Sequence, residues 1–258
     1  MKTKPGMTNA MLGMTLGCFV LILFQYSHVF AQQSPWTEAN TKYQSGDFES
    51  ALASYKNILA AGKETAALDY NLGNAYFRLG HKGKALAFYE RALRISPRNE
   101  DVLWNIDIVR SAVADRIETS DEGLTRVFIK KVTDSLTVNE ISMILSGLLI
   151  LFAAMAFIAF MLPVLKPLIR GVSVLVVLVF LAAAVLFGFK WTEVKDPRVV
   201  ILDKEVEARY GPSKKETKAF TLHEGAEAKV MDETQDWFYV ALENKSSGWV
   251  PKTSCEII

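Results

Sequence analysis

Few side chains in this sequence are of the kinds that carry out covalent or metal chemistry, and they do not stand in a working arrangement. Beyond residue 31 the candidates are His81, His223 and Cys255, each isolated from the others. A zinc site needs three or four Cys, His or carboxylate ligands at short spacings, and no such spacing can be drawn. His223-Glu224 has the opening of a zinc-protease helix without its second histidine, and no glycine-rich phosphate loop follows a strand. Nothing marks a nucleophile with its base. Cys18 falls in the leader described below, so a thiol device would rest on Cys255 alone. The sequence is expected to encode no enzyme, with no catalytic residue, no metal and no cofactor.

Spacing points instead to binding. One constant shift of the sequence against itself aligns Asn40 with Asn74, Gly46 with Gly80, Ala51 with Ala85 and Tyr55 with Tyr89. The second copy, 66–99, holds Leu72, Gly73, Tyr76, Gly80, Ala85, Tyr89, Ala92 and Pro97. The first, 32–65, keeps Ala39, Gly46, Ala51 and Tyr55 but has Glu38 and Lys42 in place of Leu72 and Tyr76. Small residues let two antiparallel helices approach, large ones fill the space between them, and Pro97 stops the second helix. The pattern resembles the tetratricopeptide repeat in both its period and its residues. After it, Val102, Leu103, Ile106, Val109, Val113 and Ile117 form a helical stripe, read as a capping helix or a truncated third repeat.

The resemblance implies a concave, ligand-facing surface lined by Trp36, Asn40, Tyr43, Tyr70, Asn71, Asn74, Phe77, Arg78, Trp104 and Asn105. Asparagine amides can pair with both N–H and C=O of a bound backbone, and neighbouring aromatics can hold its side chains. The alternative is that these aromatics pack between repeats or against the capping helix. The family's clamp for a terminal carboxylate needs basic residues where Trp36, Asp101 and Asn105 stand, so that ligand class is not expected.

The rest of the sequence determines where such a surface sits. Of 258 residues, 50% are apolar and 22% charged, which excludes a disordered chain. A net charge of +1 gives no reason to expect nucleic acid. Residues 32–140 carry 14 basic and 15 acidic groups and residues 190–258 carry 11 and 13; the remaining basic residues, Lys2, Lys4, Lys166 and Arg170, flank hydrophobic runs. Residues 1–31 read as a signal peptide, with Met11 to Phe24 as its apolar core and Val29-Phe30-Ala31 before the cleavage point. Residues 141–162 and 171–189 carry no charge, show no polar stripe and are each long enough to span a bilayer. Two buried helices of a globular core would show such a stripe. The link between them, 163–170, carries only basic charge, which suits the cytoplasmic side. Lys130, Lys131 and Lys190 at the opposite ends weaken that argument, so orientation rests mainly on the leader: out, in, out. In segment 121–140, Leu124, Phe128, Val132 and Leu136 recur every four residues, as an amphipathic helix on the lipid surface or as an extension of the repeats.

From residue 197 the pattern changes to short β-rich runs at 198–202, 206–209, 226–231, 237–242 and 248–250, separated by turn residues. Val206-Glu207-Ala208-Arg209-Tyr210-Gly211-Pro212, Leu222-His223-Glu224-Gly225, Asp236-Trp237-Phe238-Tyr239-Val240 and Gly248-Trp249-Val250-Pro251 resemble the bacterial SH3-like family in order and spacing. That resemblance implies a small all-β barrel over 197–258 with Trp237, Trp249 and Pro251 in a peptide groove. The groove's usual final tyrosine is missing, Ser254 standing near it, which argues against a proline-rich ligand and leaves cell-wall peptides. Alternatively, both tryptophans fill the barrel core.

The fold class expected is a multidomain membrane protein: signal peptide 1–31, an all-α tetratricopeptide repeat domain 32–120, a juxtamembrane segment 121–140, a two-helix transmembrane hairpin and an SH3-like barrel. In this order the parts resemble the BatE family of the Bacteroides aerotolerance operon. That resemblance implies an inner-membrane protein with both polar domains in the periplasm, partnered by von Willebrand A domain Bat proteins and a MoxR-type AAA ATPase. Its implied role lies in oxidative-stress tolerance or envelope integrity. A scaffold that captures protein partners is the reading drawn from this, with an envelope sensor binding peptidoglycan as the alternative.

Overall fold

The computed structural model describes residues 34–113, 131–195 and 197–258. The expected signal peptide, Ile117 of the capping stripe and residues 121–130 of the juxtamembrane segment lie outside the described residues.

The chain divides into two compact units, the first ending at Gly62. In the first, α1 (Pro35–Gln44) and α2 (Phe48–Ala60) form one helical hairpin. Ser34 caps α1, its Oγ accepting from the Thr37 N–H at 3.1 Å, and Pro35 at the first helical position needs no donor. Gly46 takes φ +84° in the turn, and Asp47 caps α2 by accepting from the Ser50 N–H at 3.1 Å. Ala39, Ala51, Tyr55 and Ile58 are buried between the two helices.

The second unit opens with α3 (Ala66–Arg78), α4 (Lys82–Ile95) and α5 (Glu100–Ser111). Thr65 and Asn99 cap α3 and α5, each accepting from a backbone N–H at 3.2 Å. The packing requirement at Gly73 is steric: a Cβ there would stand 2.5 Å from two ring carbons of Tyr89. Because glycine leaves that space open, the tyrosine ring lies directly on α3. α4 ends at Ile95, two residues before Pro97, as the ring's restriction on its predecessor requires. On α5 the buried positions are Val102, Ile106 and Val109. Leu103, expected on the same stripe, is 42% exposed because it lies one residue, a quarter-turn or more, round the helix.

α6 (Val138–Met161, 24 residues) and α7 (Lys166–Lys195, 30 residues) are joined by a 3-10 turn at Pro163–Leu165. Thr137 and Glu140 form a reciprocal capping box at the start of α6. Met155, Val176 and Ala183 are buried, while Ile150, Phe160 and Leu175 stand open. Both helices are long and apolar enough to cross a membrane. α7 starts before and ends after the uncharged run 171–189, taking in Lys166, Arg170, Lys190 and Lys195, because Pro197 is the first residue that stops it.

The C-terminal part is one antiparallel sheet of β1 (Arg198–Ile201), β2 (Glu205–Arg209), β3 (Lys218–His223), β4 (Glu227–Glu233), β5 (Trp237–Ala241), β6 (Ser247–Pro251) and β7 (Cys255–Ile257). The strand order is β3-β2-β6-β5-β4-β1-β7. β3 and β7 remain its two edges, so the sheet is not closed into a barrel. It has two strands more than the β-rich runs predict: β3, which runs through Leu222 to His223, and β7, which spans only Cys255–Ile257. Side chains from both ends of the strand order, Val199 and Ile201 of β1 and Leu222 of β3, share one core with Phe238, Val240 and Val250. The sheet therefore curves over a single apolar centre.

Candidate protein-interaction surfaces

The first helix of each repeat presents the side chains expected to meet a ligand, and the structure gives several of them a second role. In the first unit Tyr55 Oη donates to Asn40 Oδ1 at 2.7 Å. The Trp36 ring packs edge-on to Tyr55 with centroids 6.0 Å apart, and Tyr43 packs on Phe48 at 5.2 Å. Burial, with the Tyr43 phenol nearby, pushes the Tyr55 hydroxyl up to about 12, so it remains a donor at any physiological pH.

The second unit repeats this pair at the equivalent positions of the next repeat. Tyr89 Oη donates to Asn74 Oδ1 at 2.7 Å. Asn105 Nδ2 donates to the same oxygen at 3.0 Å and reaches Tyr70 Oη at 3.3 Å, while the Tyr70 and Tyr89 rings lie 6.0 Å apart. A carbonyl oxygen has two lone pairs, and two donors occupy those of Asn74. Its acceptor capacity is thus spent inside the fold. Tyr70, Asn74 and Asn105 are brought together around Tyr89, a residue whose place in the repeat pattern indicates packing alone. The sequence does carry a signal for the pairing: the tyrosine follows the asparagine at the same interval in both copies. Asn71 and Phe77 are half-buried, Arg78 is exposed, and Trp104 is 68% exposed.

Asp69 is a further residue of note that no sequence motif singles out. Its side chain is fully buried on α3, and among the described residues neither carboxylate oxygen has a hydrogen-bond partner. Burial, reinforced by the Glu64 charge, pushes its carboxyl up to about 7.

On the sheet, β5 and β6 alternate inward and outward residues, and Trp237, Trp249 and Pro251 all fall on the outward side, half-buried. Trp237 stands opposite Pro251 and Tyr239 opposite Trp249. The Tyr239 and Trp249 rings lie 5.2 Å apart, and Tyr239 Oη is 2.8 Å from Ser247 Oγ. The three residues named from sequence are therefore one cross-strand aromatic row, extended by Tyr239. They do not fill the core; Phe238, Val240 and Val250 do. Arg209 sits opposite Trp249 on β2, and the next residue, Tyr210, is 71% exposed.

Sequence leaves open whether the helical and β parts touch. In the second unit they do. The Gly83 N–H at the start of α4 donates to Glu224 Oε1 at 2.9 Å, and a Cβ on Gly83 would run into the Ile201 carbonyl. Arg91 bonds Glu256 at 2.8 Å and the Ile257 carbonyl at 2.9 Å, covering edge strand β7. Arg110 of α5 reaches Glu90 of α4 at 2.8 Å and Glu227 of β4 at 2.7 Å. Arg98, in the turn before α5, donates to the Ser135 carbonyl at 3.1 Å and pairs with Glu140 at the start of α6.

Among the described residues no group of three or more His, Cys, Asp or Glu is placed to hold a metal ion. His81 is exposed in the turn before α4, and His223 ends β3 opposite Glu205. The Cys255 thiol donates to the Pro251 carbonyl at 3.4 Å, and burial, with Asp203 nearby, pushes it up to about 12. It is thus a poor nucleophile.

These parts define a class: a helical repeat region, two helices able to cross a membrane, and an antiparallel sheet. Residues 37–100 match the tetratricopeptide repeat family, which spans the hairpins α1–α2 and α3–α4. A search of curated proteins returns no match to this chain. Repeats of this family generally bind protein partners, and the region accordingly has a protein–protein interaction role.

Proposed function

We propose that this protein is a non-enzymatic membrane scaffold, in which the repeats capture a segment of a partner protein and the α6–α7 hairpin holds them at the bilayer. The observation that carries the reading is the tetratricopeptide match on the same chain as two spanning-length apolar helices. Tethering raises the effective concentration of weakly binding modules, so a shallow surface suffices. With the Asn40 and Asn74 side-chain oxygens engaged inside the fold, recognition passes to Trp104, which is 68% exposed. The likeness to the BatE family supplies the remaining detail of this proposal: an inner-membrane protein with both polar parts in the periplasm, acting with von Willebrand A domain Bat proteins. The test is affinity capture of the whole chain from solubilised membranes, comparing wild type with a Trp104→Ala variant. Trp104 is exposed, so the fold should survive. A partner enriched by the wild type and lost by the variant supports capture; identical profiles contradict it.

The outward aromatic row on β5 and β6 favours a second reading, a cell-envelope sensor. Trp237, Tyr239, Trp249 and Pro251 offer an outward apolar row on the antiparallel sheet, which suits a peptide or the hydrophobic faces of cell-wall glycopeptide. Co-sedimentation of the solubilised chain with purified sacculi tests it, and equal sedimentation by a Trp237→Ala, Trp249→Ala variant would remove the row from any such role.

A further inference from the structure

Two carboxylates from different parts of the fold converge on one guanidinium nitrogen. Arg110 Nη2 lies 2.8 Å from Glu90 Oε1 and 2.7 Å from Glu227 Oε1, and Arg110 Nε donates to the same Glu227 oxygen at 2.9 Å. Both acids are largely buried, their side chains 16% and 12% exposed. Glu90 belongs to α4, Arg110 to α5 and Glu227 to β4, so this cluster lies where the helices meet the sheet. Arg198 of β1 closes it from the other side, its Nη2 3.3 Å from Glu227 Oε2. Asp134 and Asp107 add further negative charge nearby. Glu227 thus has two arginine partners, whereas Glu90 shares one.

We propose that this cluster is a proton-operated latch: docking of the sheet on α4 and α5 takes up a proton at Glu90, so the joint is tight in mild acid and loosens as pH rises. The geometry explains why Glu90 is the group that titrates. Two like charges held within reach of one nitrogen repel, and a proton on the acid with fewer cationic partners relieves the repulsion without breaking the Arg110–Glu227–Arg198 chain. Burial first, and the Glu227 charge second, push Glu90 up to about 7, against the pull of Arg110 and Arg198. When the joint opens, Glu90 meets water and returns toward its ordinary value of 4.5. The sign follows: the docked state binds the extra proton between those two values, so docking is favoured below the range and weakened as pH climbs through it.

The consequence reaches beyond the joint. The sheet follows α7 directly and α4–α5 are tied to α6 through Arg98, so the latch closes a loop of chain that begins and ends at the hairpin. Opening it frees the sheet and its aromatic row from the second repeat while both remain anchored.

The Gly83 amide is a built-in reporter, because its N–H bonds Glu224 across the joint. The experiment is amide hydrogen exchange of the full chain, labelled with 15N-glycine and held in phospholipid nanodiscs, from pH 5 to pH 8, corrected for intrinsic exchange. The Gly83 protection factor should fall by up to about tenfold per pH unit between pH 5 and 7 and level off above, the limit for one linked proton. In Glu90→Gln it should stay high and flat across the range. The Gly248 amide, in β6 opposite Val240 and inside the sheet, should hold its protection throughout. A wild-type protection factor that changes less than twofold from pH 5 to 7 overturns the latch. So does a Glu90→Gln variant that keeps the wild-type slope, or one that loses Gly83 protection at every pH, which would make Glu90 a plain ion-pair partner. Should Glu90→Gln lose Gly248 protection and so unfold the sheet, the wild-type slope decides alone.

Discussion

The Tyr89 hydroxyl donates to Asn74 Oδ1 at 2.7 Å, and the same bond recurs at 2.7 Å between Tyr55 and Asn40, the equivalent residues of the preceding repeat. It ties the second helix of each repeat to the first. Tyr89→Phe keeps the ring on Gly73 and removes only the donor, so it should cost about 1 kcal/mol. Exchange protection of the α3 and α4 amides should fall accordingly, while Asn105, still bonded to Asn74, limits the loss. A variant as protected as wild type would show that the bond is incidental.

Gly73 tests packing rather than hydrogen bonding. An alanine methyl would stand 2.5 Å from the Tyr89 ring, and forcing the helices apart should cost about 1–3 kcal/mol. Thermal unfolding should show Gly73→Ala lowered, and Tyr89→Leu in the same chain should recover part of the loss. Strict additivity of the two changes would mean that they do not share a contact.

Asp69 predicts a pH dependence inside α3. Its carboxyl is raised to about 7 by burial and by Glu64, from an ordinary value of 3.8, so the fold accepts the neutral acid and opposes the charged one. Below about pH 4 the folded and unfolded forms hold the same proton and no penalty arises; the penalty grows as pH rises toward 7 and is fully present above it. Asp69→Asn, neutral throughout, should therefore match wild type at pH 4 and exceed it at pH 8 in exchange protection of α3. Equal protection at pH 8 would mean that the carboxylate finds a partner in solution.

The alternation along β5 separates a core aromatic from surface ones. Phe238→Ala removes a nearly buried ring and should cost about 3–5 kcal/mol. Trp249→Ala, on the outward row, should cost much less while abolishing any ligand that the row holds. If the two lower the melting temperature equally, Trp249 is a packing residue and the row is not a binding surface.

The helical repeat is legible in the sequence because its signals are local and redundant: Gly46 and Gly80 take nearly the same φ, +84° and +82°, at the same point of both turns. The membrane-length helices are legible from their unbroken apolar runs. The short strands are less so. β7 owes its place to pairing with β1, at the other end of the β region, which no local pattern encodes. For the candidate site, repeat register indicates which helix carries each side chain but not what already occupies it. That Asn74 is engaged depends on Tyr89 and Asn105, from two other helices. That Glu90 meets Glu227 depends on the docking of elements far apart in the chain, with the apolar helices α6 and α7 between them. Contacts of that range arise from packing, and composition and periodicity do not report them.

Native Cys255 makes a poor reporter of which side of the membrane the sheet occupies, since burial holds its thiol protonated and it bonds the Pro251 carbonyl. Exposed positions serve better: Glu49 on α2, Val164 in the hairpin turn and Lys214 between β2 and β3, each changed singly to cysteine with Cys18 and Cys255 replaced by serine. Labelling of intact cells with a membrane-impermeant thiol reagent then tests the scaffold most directly. The proposal predicts labelling at Glu49→Cys and Lys214→Cys and protection at Val164→Cys until the cells are lysed. Labelling of all three, or of Glu49→Cys and Lys214→Cys on opposite sides, would contradict a hairpin that holds repeats and sheet on one face of the membrane.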